Sequence, residues 1–320
     1  MATITVIIPS FNKEMYIAEA LDSVFMQKTS HCYHIVVADD CSTDNTVKIV
    51  KQYQERHPDK ITILTSDKNQ KLYRNVIRAY QVTKTDYFCV LDPDDYWIDQ
   101  YKIQNALDFL ESHKGYTIYA TDTDILDKDG QVSHFVYTKR IIDSTFSDFL
   151  AHKANFGCTL GSVYRNVIFK NGIPENMIHL ASDTYEQSFR GDTFRNAIHL
   201  EHGKCHHVPT VDGIYRVTVT GLWQGMPQIS REIFVANMYK DLWLYFNKRY
   251  TELLVIACSM FRNVKKNPEL FKHLSNVSGD AKLRSIISRM SEMEALSALK
   301  EARPPSRIKK IMRKIKSLFR

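Results

Sequence analysis

Tyr87-Phe88-Cys89-Val90-Leu91-Asp92-Pro93-Asp94-Asp95-Tyr96-Trp97 is the stretch on which the reading of this chain turns. Tyr87 to Leu91 is a short, bulky, apolar run and reads as a buried strand. It stops on three carboxylates within four residues. Carboxylates crowded at the end of a buried strand lose hydration and repel one another, so a counter-charge has to offset the cost. Mg²⁺ and Mn²⁺ prefer oxygen ligands, and an ion held there can clamp a diphosphate. A solvated acidic turn would use the same residue types, because Asp and Pro are common in turns. Support has to come from the rest of the chain.

Two further strands end in polar clusters upstream. The run Thr3 to Ile8 leads into Pro9-Ser10-Phe11-Asn12-Lys13-Glu14. The run His34 to Ala38 leads into Asp39-Asp40-Cys41-Ser42-Thr43-Asp44-Asn45-Thr46, where Ser42 or Thr43 can cap a helix. A helix over about 13–27 follows the first, with Ile17, Ala20, Leu21, Val24 and Phe25 on one face. A second helix starts near Thr43 and ends before Pro58. Repeated strand–helix units describe a parallel sheet. Open parallel sheets bind ligands outside the carboxyl ends of their strands, so the three clusters are expected on one rim.

Farther along, the spacing predicts a strand over 61–65 and helices over about 70–83 and 99–113. A strand at 116–120, a turn at 127–130 and a strand at 156–164 come next. Residues 183–201 read as a helix, and 204–209 and 213–219 as extended chain. After Pro227 the chain reads as strongly helical.

In order and spacing, Ile7-Ile8-Pro9-Ser10-Phe11-Asn12, Val37-Ala38-Asp39-Asp40-Cys41-Ser42-Thr43-Asp44-Asn45-Thr46 and Leu91-Asp92-Pro93-Asp94-Asp95 resemble the nucleotide-binding half of a family 2 glycosyltransferase. The resemblance implies an α/β protein of the GT-A fold, with a Rossmann-like, mainly parallel central sheet and a C-terminal helical extension. It implies inverting transfer of a hexosyl or N-acetylhexosaminyl group from a nucleotide sugar, a UDP-sugar, to a glycan, with Mn²⁺ or Mg²⁺ as cofactor. The layout it implies is a catalytic domain over 1–225, divided at 115 and 116 into nucleotide and acceptor halves. A helical extension over 226–302 and a tail over 303–320 complete the chain.

The same resemblance assigns residues. Pro9, Phe11, Asn12 and Glu14 fall in the nucleotide loop, with Phe11 against the base. Asp40 matches the acceptor for uracil N3–H, and Asp39 its neighbour. Lys71 and Arg74 fall where the family contacts the nucleotide. Asp94 matches the ribose or metal contact, Asp95 the metal ligand, and Asp92 a supporting position. Core packing remains open for Phe11, and a solvated helix face for Lys71 and Arg74. Glu14 can brace its loop or favour a helix N-terminus.

On the acceptor side, Arg190-Gly191-Asp192-Thr193-Phe194, Gly203-Lys204 and Tyr215-Arg216 resemble the family's second set of motifs. They make Asp192 the catalytic base and Arg216 a diphosphate contact. A carboxylate at a helix N-terminus stays ionised at neutral pH, as a base requires, although Asp192 can also be a cap. Asp183 is the second candidate. One departure stands out: Thr218 occupies a position where many members carry a metal-binding His. The ion would then depend on Asp94, Asp95 and water, or Arg216 would take more of the phosphate charge.

A hydrophobic fraction of 44% in 320 residues supports a real core plus an appendage. Met1 leads straight into the first strand, so no signal peptide is expected, and no apolar run is long enough to span a bilayer. Six scattered cysteines point to a reducing compartment. A zinc site among His199, His202, His206 and His207 is disfavoured, because His206 and His207 would point to opposite faces of extended chain.

Eight of the 43 Lys and Arg residues, and no acid, fall in residues 303–320, which leaves the rest within one charge of neutral. The basicity therefore does not argue for nucleic acid. In the tail, Arg307, Lys309, Lys310, Arg313, Lys314 and Lys316 alternate with Ile308, Ile311, Met312, Ile315, Leu318 and Phe319 at helical spacing. Interfacial helices have this character, and anionic lipid attracts such charge. Docking on the protein's own body or RNA binding would use the same pattern. The expected setting is cytoplasmic, peripheral on the inner face of the plasma membrane. The expected acceptor is a lipid-linked or cell-surface polysaccharide or lipooligosaccharide. Two alternatives stay open. A nucleotidyltransferase would carry a Gly-rich loop after its first strand, which Pro9-Ser10-Phe11-Asn12 lacks. A membrane-bound glycan-binding or scaffold protein with a degenerate site would not turn over nucleotide sugars.

Overall fold

The computed structural model describes residues 1–135, 139–182, 191–218 and 228–265. The chain forms two units. The first gathers Met1–Phe149, Lys153–Glu175 and Gly191–Gln224; the second gathers Leu150–His152, Asn176–Arg190 and Gly225–Arg320.

The first unit opens with β1 (Thr3–Ser10), α1 (Ile17–Phe25), β2 (Cys32–Asp39), α2 (Thr46–Arg56), β3 (Ile61–Leu64), α3 (Leu72–Val82) and β4 (Tyr87–Val90). These βα units form the parallel run β3-β2-β1-β4. Strand residues alternate between faces. Ile4, Val6 and Ile8 of β1 share one core with Ile35 and Val37 of β2, Tyr87 and Cys89 of β4, and Ile17, Leu21 and Val24 of α1. β1 is buried from Ile4 onward on both faces, as its unbroken apolar run requires.

The second half brings β5 (Tyr96–Trp97), α4 (Lys102–Ser112), β6 (Tyr116–Leu126), β7 (Val132–Phe135), β8 (Ile142–Ser144) and α5 (Phe146–Leu150). A 3₁₀ turn (Thr159–Gly161), β9 (Ser162–Arg165), α6 (Glu175–Ser182), α7 (Gly191–Leu200) and β10 (Lys204–Arg216) follow. The sheet order is β3-β2-β1-β4-β9-β6-β10-β5, with β7 on β6 and β8 on β10. β9 runs antiparallel to both β4 and β6, so β6 again points the same way as β4, and β10 lies parallel to β6. The expected strand over 156–164 is shorter than its apolar pattern: residues 156–158 are irregular and the 3₁₀ turn takes 159–161, leaving β9 to start at Ser162. The two extended stretches after residue 203 are one bulged strand, β10. Of the expected helix over 183–201, α7 covers 191–200, and 183–190 lie outside the described residues.

Two buried polar groups hold the second half together. Lys102 Nζ of α4 reaches Asp212 Oδ2 of β10 at 2.7 Å, with both side chains buried. His199 of α7 is enclosed by Tyr164, Phe88 and Phe169, with ring centroids 4.9, 5.5 and 5.8 Å away. Its Nδ1 lies 2.8 Å from the Arg195 carbonyl. A carbonyl only accepts, so the proton is on Nδ1. In the second unit, α8 (Gln228–Tyr245) packs against α9 (Thr251–Lys265). Among the described residues, no helix is long and apolar enough to cross a membrane.

Burial pushes the His199 imidazole down to about 3, so the folded state excludes its proton while the unfolded chain takes one up below about pH 6.5. The contribution of His199 is therefore complete above that pH and is lost as pH falls from 6.5 toward 3. Urea denaturation should show a slope near 1.4 kcal/mol per pH unit in this window that His199→Phe removes. Parallel pH profiles for the two proteins would contradict the buried neutral imidazole.

Candidate active site

The strand directions set the site. β1, β2, β4 and β10 all point the same way, so their carboxyl ends open on one rim. That rim receives Pro9 to Glu14, Asp39 to Thr46, Asp92 to Asp95, and Arg216 with Thr218.

After β4 the chain turns sharply, with the Asp95 N–H donating to the Asp92 carbonyl at 3.0 Å. β5 then pairs antiparallel with β10, setting Tyr96 opposite Ile214 and Trp97 opposite Gly213. A β-carbon on Gly213 would sit 2.2 Å from Leu160 Cδ1, so only glycine fits without displacing that side chain. The pairing delivers Asp95 to the end of β10, where Oδ1 accepts the Arg216 N–H at 2.9 Å. Asp95 is 2% exposed, and its Oδ2 is buried without a partner among the described residues. Asp94 Oδ2 accepts from Lys13 Nζ at 2.6 Å and from Thr218 Oγ1 at 3.3 Å.

The crowding shows in the proton affinities. Burial, and behind it the charge of Asp94, pushes the half-buried Asp92 carboxyl up to about 6. Burial and then the charge of Asp92 hold Asp95 well above the usual carboxylate range. The Lys13 ammonium opposes both shifts. Arg195 opposes the first, and Asp192 adds to it.

The nucleotide-side residues fall into two kinds. Asp39 is consumed by structure: its Oδ1 accepts from Ser10 Oγ at 3.1 Å and Ser42 Oγ at 2.5 Å, and its Oδ2 from the Ser42 N–H at 2.9 Å. Glu14 braces the facing loop, accepting from the Asn45 N–H at 2.8 Å and Asn45 Nδ2 at 2.7 Å. Asn12 stands at φ +51°, a left-handed conformation that Asn tolerates, and its Oδ1 accepts the Thr43 N–H at 2.8 Å. Pro9 is buried in β1 opposite Ala38. Phe11, by contrast, is 43% exposed at the rim, so core packing does not account for it. Asp40 is held by its N–H to the Ser10 carbonyl at 2.9 Å and accepts the Gln70 N–H at 2.7 Å. Lys71 is exposed at φ +72°, just before α3, and Arg74 is half-buried one turn on.

On the acceptor side, Asp192 stands half-buried in the first turn of α7, accepting the Thr193 N–H at 2.6 Å. Arg216 lies over the rings of Tyr16 and Tyr96, 5.0 and 5.3 Å from their centroids, and donates to Glu19 Oε2 at 2.5 Å. The guanidinium is thus preset by cation–π contact and an ion pair. Asp183 and the tail residues Arg307, Lys309, Lys310, Arg313, Lys314 and Lys316 lie outside the described residues. The histidines go separate ways: His206 pairs with Asp143, His207 with Asp122, and His199 lies in the core.

The sequence pattern did not single out Lys13, Ser10 or Gln70. Lys13 carried a signal, as a single cation on a loop predicted to face three acids, and Ser10 carried none until the sheet paired β1 with β2. Ser42, expected as a helix cap, instead donates to Asp39, and Asn45 precedes the helix.

The match to known proteins accords with this geometry. The family described as Glycosyl transferase family 2 matches residues 5–172. The Mycobacterium tuberculosis protein Rv1520, itself described as uncharacterized, is 26% identical over 269 residues, which span 81% of this chain and 74% of that protein. Poly(ribitol-phosphate) beta-N-acetylglucosaminyltransferase TarS of Staphylococcus aureus is 35% identical over 117 residues, 35% of this chain and 20% of TarS. The crystal structure of TarS 1–349 with UDP-GlcNAc is similar at a TM-score of 0.60 and 16% identity, covering 81% of this chain and 71% of that one. The mannosyltransferase PcManGT of Pyrobaculum calidifontis, solved with GDP-Man and Mn²⁺, matches at a TM-score of 0.52 and 15% identity, covering 94% of this chain and 88% of its own. The chain belongs to glycosyl transferase family 2 and has the GT-A fold.

Asp39→Ala should destabilise the protein by about 3 kcal/mol, because two hydroxyls and an N–H lose a buried charged acceptor. Asp40→Ala, which removes one such bond, should cost clearly less. Equal denaturation midpoints for the two variants would contradict this division between a heavily and a lightly bonded carboxylate.

Proposed function

We propose that this transferase moves a hexosyl or N-acetylhexosaminyl group from a UDP-sugar to a glycan hydroxyl, with inversion at the anomeric carbon. The observation that carries the reading is Asp95 Oδ2, a buried carboxylate oxygen with no donor among the described residues, beside Asp94 at the end of β4. An anionic pair of this kind fits a cation–diphosphate ligand. The ligands of the similar structures, UDP-GlcNAc and GDP-Man, favour a nucleoside diphosphate sugar.

In this reading Phe11 stacks on the base and Asp40 accepts the uracil N3–H, with Lys71 and Arg74 alongside. Pro9, Asn12, Glu14 and Asp39 shape the loops that hold them. Asp94 and Asp95 would hold Mn²⁺ or Mg²⁺. The fit is good but lean. Two carboxylates and the Thr218 hydroxyl are present, and no set of three or more His, Cys, Asp and Glu side chains gathers for a metal among the described residues. Diphosphate oxygens and water would complete the ligands. When bound, such an ion supplies Lewis acidity toward the leaving phosphate. Arg216 faces the same diphosphate charge. Asp192 takes the proton from the acceptor hydroxyl as its oxygen attacks and the bond to the diphosphate breaks, in the manner of a single-carboxylate base.

The working division is a catalytic domain over 1–225, a helical extension over 226–302 and a membrane-binding tail over 303–320. The tail would hold the enzyme on the cytoplasmic face of the plasma membrane, beside a lipid-linked or cell-surface glycan acceptor. The poly(ribitol-phosphate) acceptor for which TarS is named supports an envelope polysaccharide.

Asp192→Asn should retain UDP affinity and lose transfer by about 10²–10⁴-fold, as removal of a general base does. Titration calorimetry with UDP, paired with a transfer assay, separates the two effects. Near-normal transfer by Asp192→Asn, with loss in Asp183→Asn, would move the base to Asp183.

Deleting residues 303–320 should release the protein from anionic vesicles in a sedimentation assay. Pelleting of the full chain should weaken as salt rises, since charge is screened beyond roughly 8 Å at physiological ionic strength. Equal pelleting of both forms would sink the anchor.

A further inference from the structure

Lys13 is the feature of the rim that the reaction described above does not use. Its ammonium lies 2.6 Å from Asp94 Oδ2, where Thr218 Oγ1 also donates at 3.3 Å. It thus occupies one of the two carboxylate oxygens that Asp94 could offer a divalent ion. We propose that Lys13 is a tethered cation that guards Asp94 while the site holds no nucleotide, so that the divalent ion binds strongly only together with the diphosphate. The proposal rests on the metal reading of Asp94 and Asp95 given above.

Three observations support it. The first is charge. Asp92, Asp94 and Asp95 crowd one strand end, and the Lys13 ammonium stands at hydrogen-bond distance from Asp94. A divalent ion approaching Asp94 meets that ammonium, and like charges in a poorly hydrated site repel strongly.

The second is anchorage. The backbone around Lys13 is fixed: its own N–H donates to Thr46 Oγ1 at 2.7 Å, Asn12 is bound to Thr43, and Glu14 to Asn45. Only the flexible four-carbon stem is free to redirect the charge. The swing therefore needs no loop opening.

The third is the alternative acceptor. A diphosphate placed at this rim offers the ammonium new anionic oxygens, and the metal then gains both Asp94 and the phosphates. Nucleotide and ion thus favour each other's binding, and linkage makes the effect reciprocal. Contact between the ion and the diphosphate couples their binding by itself; a merely structural ion pair between the β1–α1 loop and the β4 end would add nothing to that coupling, and removing Lys13 would leave it unchanged.

The test is Mn²⁺ binding by the full chain, read by electron paramagnetic resonance of the free ion, with and without UDP. For the wild type, UDP should raise Mn²⁺ affinity at least tenfold. For Lys13→Met, nucleotide-free Mn²⁺ affinity should rise about tenfold and the gain from UDP should shrink accordingly. Lys13→Arg keeps the cation and should retain the wild-type pattern, which serves as the check if the Met variant folds poorly. Unchanged nucleotide-free Mn²⁺ affinity in a folded Lys13→Met, or a Met-like pattern in Lys13→Arg, overturns the guard and leaves the metal site standing. Failure of the wild type and the Met variant alike to bind Mn²⁺ at saturating UDP overturns both.

Discussion

Negative charge at the end of a buried strand is the constraint on which this molecule is built. β4 is apolar on every residue and ends on Asp92, Asp94 and Asp95. Water cannot hydrate all three, so each is answered in a different way. Asp95 takes a backbone N–H from β10, Asp94 takes the Lys13 ammonium and a hydroxyl, and Asp92 holds its proton up to about pH 6. The partners come from the β1–α1 loop and the end of β10, so the charge problem at one strand end ties together segments about 200 residues apart in sequence.

The sheet makes that convergence possible. β9 is inserted antiparallel between β4 and β6, which restores the direction of β6 and β10 and brings their ends to the rim of β1, β2 and β4. The two-residue β5 then fixes the register between the acidic turn and β10. The site is consequently preorganised by backbone pairing. In the proposed metal reading its carboxylates would already be in place, which would lower the cost of binding. Thr218, where many family members carry His, contributes a hydroxyl to Asp94. Arg216, preset over Tyr16 and Tyr96, adds fixed positive charge at the same edge.

Much of this was legible from the chain alone. Apolar runs of four to eight residues ending in polar clusters gave β1, β2 and β4, and the parallel connection followed from the helices between them. The α/β class, the GT-A fold and family 2 membership were readable because three motifs stand in a fixed order. Less was readable where non-local pairing decides. β5 is too short to carry a pattern, and the bulged β10 looked like two segments. The resemblance separated Asp40 from its neighbour Asp39, but the bracing role of Asp39 was not legible, because it depends on β1 delivering the Ser10 hydroxyl to that acid. Lys13 was overlooked for a similar reason: its partner lies 81 residues away.

The account stands or falls on whether the β4 end is a cation–diphosphate site. Crystals grown with UDP and Mn²⁺, measured near the manganese absorption edge, address it directly. An anomalous peak in contact with Asp94 and Asp95, bridged to the diphosphate, with the base beside Phe11 and Asp40, is the predicted result. A fully bound UDP whose diphosphate lies away from Asp94 and Asp95, with no anomalous peak there, would contradict it.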